Sequence, residues 1–148
     1  EPDVMTRPLY DESFVVVMRK DHELAKLDCI QADMLTEHNL LLLGEGHCFR
    51  DQVLELCPAL IQQRNNNVGS VTQGSSLETL KYMVATGLGI TVLPESAVGN
   101  LDAKIITTRP FASPAPSRTV ALAWRASFPR GQAIDLLLDT AGKCLLKP

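Results

Sequence analysis

Basic residues are few and scattered. The 14 Lys and Arg stand against 17 Asp and Glu, for a net charge of -3, which gives no electrostatic footprint for a nucleic acid; direct DNA contact by this segment is not expected. Long apolar runs are also missing. Phe14 to Met18 and Leu40 to Leu43 fall far short of the roughly 20 residues that span a bilayer. The acidic start, Glu1-Pro-Asp3, carries no secretory pattern, so no membrane partner is expected and a cytoplasmic location is the default. There is no CxxC pair among the four cysteines, and their spacing is not that of a disulfide framework. Such usage fits a reducing compartment, where a disulfide is transient and sensing rather than structural. His22, His38 and His47 form no ligand pattern with the cysteines, so no metal and no cofactor are expected. Internal repeats and low-complexity tracts are absent, and the lack of an initiating Met suggests a piece cut from a longer chain.

What remains is an ordinary globular composition, 45% hydrophobic and 21% charged in 148 residues, enough for one sizeable core or two small ones. Phe14-Val-Val-Val-Met18 reads as a strand buried on both faces and Leu40 to Leu43 as a second, with a short helix between them over Gln31 to Thr36. Gly44-Glu-Gly46 lets the chain turn into a helix starting near Cys48. Pro58 disfavours helix at Cys57, and Gln62 to Gly69 reads as a polar loop. Ser75-Ser-Leu-Glu78 matches a capping box, with Ser75 as the cap, for a helix that ends at Gly87; a strand over Ile90 to Leu93 follows. Ala103 to Thr107 reads as a short strand, Arg109 to Pro116 as an extended linker outside any core, Thr119 to Trp124 as a strand, and Gly131 to Leu146 as a terminal helix. That helix carries an apolar stripe of Ile134, Leu137, Leu138, Ala141 and Leu145. Alternating strands and helices predict an α/β fold with a largely parallel sheet.

The chemistry concentrates at Gly46-His-Cys-Phe-Arg-Asp-Gln52. Cys48 falls in the first turn of its helix, where orphan N–H groups and the positive end of the dipole favour an anion. His47 and Arg50 bracket it, and Asp51 is placed to orient a base or a water. Peroxide converts such a thiolate to a sulfenic acid, which condenses with any second thiol in reach, and Cys57 is the nearest in sequence. On one helix, nine residues separate two sulfurs by roughly 13 Å on opposite faces, whereas a disulfide tolerates a Cα separation of about 7 Å at most. Joining the two would therefore require the helix to unwind. Against this stands the plain reading of Cys48 and Cys57 as inert small hydrophobes; Cys29 and Cys144 lack surroundings like those of Cys48 and read as structural.

Those residues carry a resemblance. Gly46-His-Cys-Phe-Arg-Asp-Gln52 with Cys57 resembles the redox loop of the peroxide-sensing LysR-type transcriptional regulators. Ser76-Leu-Glu-Thr-Leu80, Met83-Val-Ala85 and Gly87-Leu-Gly-Ile-Thr-Val-Leu-Pro94 resemble the helix and strand that follow it there. The resemblance implies a type II periplasmic-binding-protein-like effector domain with a mixed, mostly parallel sheet and helices on both faces. It implies a hinge and remnant of subdomain I over residues 1–11, subdomain II over 12–117, and the returning strand and terminal helix of subdomain I over 118–148. Cys48 would be the peroxide-reactive cysteine and Cys57 its disulfide partner, with His47, Arg50 and Asp51 flanking and Arg118 near the pocket. Hydrogen peroxide would be the signal, and a homodimer or tetramer the assembly. Promoter DNA would be met only through a helix-turn-helix domain outside this chain, and RNA polymerase by the full-length protein. Two other readings stay open: an effector domain that binds a small organic ligand with silent cysteines, and a thiol peroxidase. The latter is disfavoured by the absence of a Thr-x-x-Cys or CxxC setting.

Overall fold

A run of β-branched residues needs a fully apolar environment on both sides of the strand, and Phe14, Val16, Val17 and Met18 are all buried. A computed structural model describes residues 3–56, 58, 71–99 and 102–144. In it the run is the second half of a 16-residue strand, β1 (Val4–Arg19). The chain divides into two compact units, one of residues 13–116 and one of residues up to 12 together with those from 117 onward.

In the larger unit the chain continues through 3₁₀ turns at Glu23–Lys26 and Ala32–Glu37, β2 (Leu40–Leu43), α1 (Cys48–Leu56) and β3 (Val71–Gly74). It then forms α2 (Leu77–Ala85), β4 (Ile90–Pro94) and β5 (Ile106–Pro110). The strands are ordered β3-β2-β4-β1-β5. All four residues of β2 are buried, as its place between two other strands requires.

Several expectations need correction. The sheet is mixed without a parallel majority: β2 runs parallel to β3 and β4, whereas β1 is antiparallel to β4 and β5. Parallel pairing needs a crossover, and α1 and α2 lie between the strands so paired. The helix expected over Gln31 to Thr36 is the 3₁₀ turn, one residue later. The cap of α2 is Ser76, whose Oγ accepts from the Thr79 amide at 3.1 Å; Ser75 instead meets the Thr79 hydroxyl, and Glu78 accepts from Lys81. The strand placed at Ala103 to Thr107 starts at Ile106, so Arg109 and Pro110 belong to it. Phe111, expected in a linker, is in the core, where an isolated bridge joins it to Ile30. The Gly87 stop of α2 holds. Gly87 has φ +83°, its amide donates to the Val84 oxygen, and the Leu88 amide reaches back to Met83, the two bonds of a Schellman motif.

The smaller unit contains the first half of β1, β6 (Ser117–Arg125), which pairs with β1, and α3 (Gly131–Lys143). Exposed and half-buried residues alternate along β6, the mark of a one-sided strand. Of the stripe expected on α3, Ile134 is buried and Leu138 and Ala141 are half-buried, while Leu137 is exposed; Leu145 lies outside the described residues. Cys29 and Cys144 are both exposed. Cys29 sits in a surface turn before buried Ile30 and Cys144 at the C-cap of α3.

Candidate functional site

The end of β2 sets the position of the segment that carries Cys48. Gly44 donates from its amide to Gly74, at the end of β3, at 3.2 Å. Gly46 then adopts φ +88° with open space where a Cβ would stand. That left-handed residue suits glycine, and it lets the chain reverse within two residues, so that α1 begins at Cys48.

Successive residues of a helix are about 100° apart. Phe49, Arg50, Val53 and Leu54 therefore share one side of α1, and all four are buried. The Phe49 ring lies 5.8 Å from that of Phe14, tilted by 46°. Cys48, Asp51, Gln52 and Glu55 share the opposite side; Cys48, Asp51 and Glu55 are exposed, and so is His47 just before the helix. Cys48 is a free thiol in the first turn, the electropositive end, and Asp51 is the acidic residue of that turn.

Arg50 does something the spacing did not indicate. Its guanidinium is turned into the fold, only 2% exposed, and Nη1 donates to the Leu43 oxygen at 2.7 Å. One turn after Cys48, the Gln52 Oε1 atom is buried without a hydrogen-bond partner among the described residues. Cys57 lies outside the described residues. Arg118 belongs to the smaller unit, where it donates from Nε to the Glu12 Oε2 atom at 2.9 Å and pairs with it through Nη2 at 2.8 Å. Cys48, His47, Arg50 and Asp51 are thus gathered at one helix start, and Arg118 is described in its own unit.

Sequence spacing missed a second cluster. His22 and His38, 16 positions apart, meet edge to face with ring centroids 4.8 Å apart. Together with Arg19, Asp21, Glu23, Asn39 and the turn at Gly87–Gly89 they line a cavity of about 510 Å³. The legible signal was the position of His22, immediately before Glu23-Leu24, as a cap. Among the described residues no group of three or more His, Cys, Asp or Glu is arranged to hold a metal ion, and no helix is long and apolar enough to cross a membrane.

The family description "LysR substrate binding domain" matches residues 1–143. A probable hydrogen peroxide-inducible genes activator of Streptomyces viridosporus is 42% identical over 139 residues, covering 92% of this chain and 43% of that protein. The chain thus spans less than half the length of this curated relative. The reduced OxyR regulatory domain of Pseudomonas aeruginosa superposes with a TM-score of 0.83 at 50% identity, covering 97% of this chain and 68% of that one. A hydrogen-peroxide-bound cysteine mutant of Corynebacterium glutamicum OxyR superposes with a TM-score of 0.83 at 31% identity, covering 97% of this chain and 45% of that one.

Proposed function

The chain belongs to the LysR substrate-binding domain family, among its OxyR-type regulatory domains, and from that premise we propose that it is the redox-sensing part of a peroxide-responsive transcriptional regulator. The observation that carries the reading is Cys48: exposed, in the first turn of α1, on the side turned away from the core.

In this reading the Cys48 thiolate attacks one oxygen of hydrogen peroxide, the O–O bond breaks, and hydroxide leaves, giving a sulfenic acid. The thiol of Cys57 then attacks that sulfur, forming the disulfide and releasing water. Nine residues along an ideal helix put two positions on opposite faces, so in this reading the S–S bond forms only as α1 unwinds. His47 and Asp51 flank the reactive sulfur and serve proton movement during O–O cleavage. Arg50 acts by holding the helix start; Arg118, which the resemblance associates with the pocket, is paired with Glu12 within its own unit. The unwound segment alters how a homodimer or tetramer is arranged. That change reaches promoter DNA and RNA polymerase through a helix-turn-helix domain outside this chain, in the cytoplasm. Turnover is incidental; the product is a conformation.

The test is intact mass, peptide mapping and circular dichroism before and after one equivalent of hydrogen peroxide, on the chain and on Cys48→Ser and Cys57→Ser. The expected result is a loss of two hydrogens mapped to Cys48 and Cys57 and a weaker helical signal, reversed by a dithiol and absent from both variants. A folded chain whose Cys48 stays a thiol would overturn the reading in favour of an effector domain for a small organic ligand.

A further inference from the structure

His22 is the N-cap of the Glu23–Lys26 turn, and its Nδ1 accepts the Leu24 amide at 3.2 Å. Because a backbone amide can only donate, Nδ1 must carry a lone pair in this bond, so the ring is neutral with its proton on Nε2. A protonated imidazole donates from both nitrogens and cannot make this cap. The residues that the bond anchors are not peripheral, since Leu24 and Ala25 belong to the core of the larger unit.

The surroundings decide how readily His22 takes a proton. His38 meets it edge to face at 4.8 Å, and the His38 Nε2 atom lies 3.5 Å from Glu23 Oε1. Charge on the His38 ring opposes charge on His22. Glu23 and Asp21 are the acids that favour a charged His22. Asp21 already accepts two bonds from Arg19, at 2.8 and 2.7 Å, which blunts its pull. From β5, Arg109 grips the far end of the turn, donating to the oxygens of Leu27 and Ala25 at 2.7 and 2.6 Å, so that end has an anchor independent of His22.

We infer that His22 and His38 form a proton-sensitive latch: protonation of His22 removes the acceptor of the Leu24 amide and frees the start of the Glu23–Lys26 turn, while Arg109 keeps its end in place. Burial first, and His38 second, hold His22 below the ordinary histidine value. The unfolded chain therefore binds this proton before the folded one as pH falls. The stability contributed by a neutral His22 is complete above about pH 6.5 and is lost progressively below it. Acid would thus loosen the unit that carries Cys48 at a point remote in sequence from the cysteine, without any redox change.

The test is amide exchange of Leu24 in the full chain, with His22 and His38 ring signals followed by NMR from pH 8 to pH 5. Protection of the Leu24 amide should fall about 5-fold as His22 titrates, the factor carried by one N-cap bond. His22→Asn keeps a capping oxygen that does not titrate, and should hold that protection level across the range. His38→Gln should move the His22 midpoint upward. Leu24 protection that stays flat in the wild type, or falls equally in His22→Asn, overturns the latch; a midpoint indifferent to His38→Gln overturns the pairing of the two rings.

Discussion

Arg50 donates from its buried guanidinium to the main-chain oxygen of Leu43 at 2.7 Å, tying the first turn of the Cys48 helix to the strand that leads into it. Arg50→Met keeps the apolar stem and removes the donor, leaving a buried carbonyl without this partner. A hydrogen bond involving a charged group contributes about 1.5–3 kcal/mol, so urea unfolding of the reduced variant should show a loss of about 2 kcal/mol. An unchanged midpoint would mean that the tether is not what fixes the helix start.

Gln52 presents the opposite situation. Its Oε1 is buried without a partner among the described residues, and such an orphan costs about 1–3 kcal/mol. Gln52→Met fills a similar volume with an adaptable apolar chain and should stabilise the reduced form by about 1 kcal/mol. If oxidation unwinds α1, water satisfies this amide only in the oxidised form. The variant should then be harder to oxidise, by about 5-fold in a dithiol–disulfide redox buffer. Stabilisation with no redox shift would separate Gln52 from the switch.

Two glycines should respond differently to alanine. At Gly89 a Cβ would lie 2.2 Å from the Asn39 oxygen, backbone that also accepts the Ile90 amide at 3.0 Å and so cannot move cheaply. Gly89→Ala should cost about 3 kcal/mol as overpacking. At Gly46 space is open but φ is +88°, so Gly46→Ala should cost only about 1–2 kcal/mol for the left-handed residue. Urea denaturation followed by circular dichroism ranks the pair, and the reverse order would contradict this account.

In the smaller unit Glu12 is buried and its ion pair with Arg118 is partly open, the arginine side chain being 32% exposed. Removing one partner of a fully buried pair costs about 3–5 kcal/mol, and the access of Arg118 to water lowers that. Glu12→Ala should therefore lose about 2 kcal/mol, read by urea unfolding; a neutral result would mean that Arg118 finds equivalent partners.

The parts of the fold legible in the sequence were those set by neighbours along the chain. The apolar runs at Phe14 and Leu40, the glycine turn before Cys48 and the stop at Gly87 all follow from local rules. What escaped depended on distant partners. Residues 4–13 include Arg7, Pro8 and Asp11 and read poorly as strand, yet they belong to β1, which pairs with β6. Phe111 looked like linker because its burial depends on Ile30, 81 positions earlier in sequence. Strand direction at β1 is a matter of topology, which periodicity does not encode. At the candidate site the helix start was readable, whereas the inward turn of Arg50 was not, since a charged residue two places after the cysteine looks equally suited to solvent.

The division of α1 into a core side and a solvent side has a thermal consequence. Phe49, Val53 and Leu54 sit between the exposed positions of the same nine residues, so an unwinding that lifts their side of α1 from the core brings those three into water. Newly hydrated apolar surface raises heat capacity by about 0.45 cal/mol/K for each Å². A redox change at one sulfur atom would therefore be legible to a calorimeter as a step in the heat capacity of the folded chain, with no label and no chromophore.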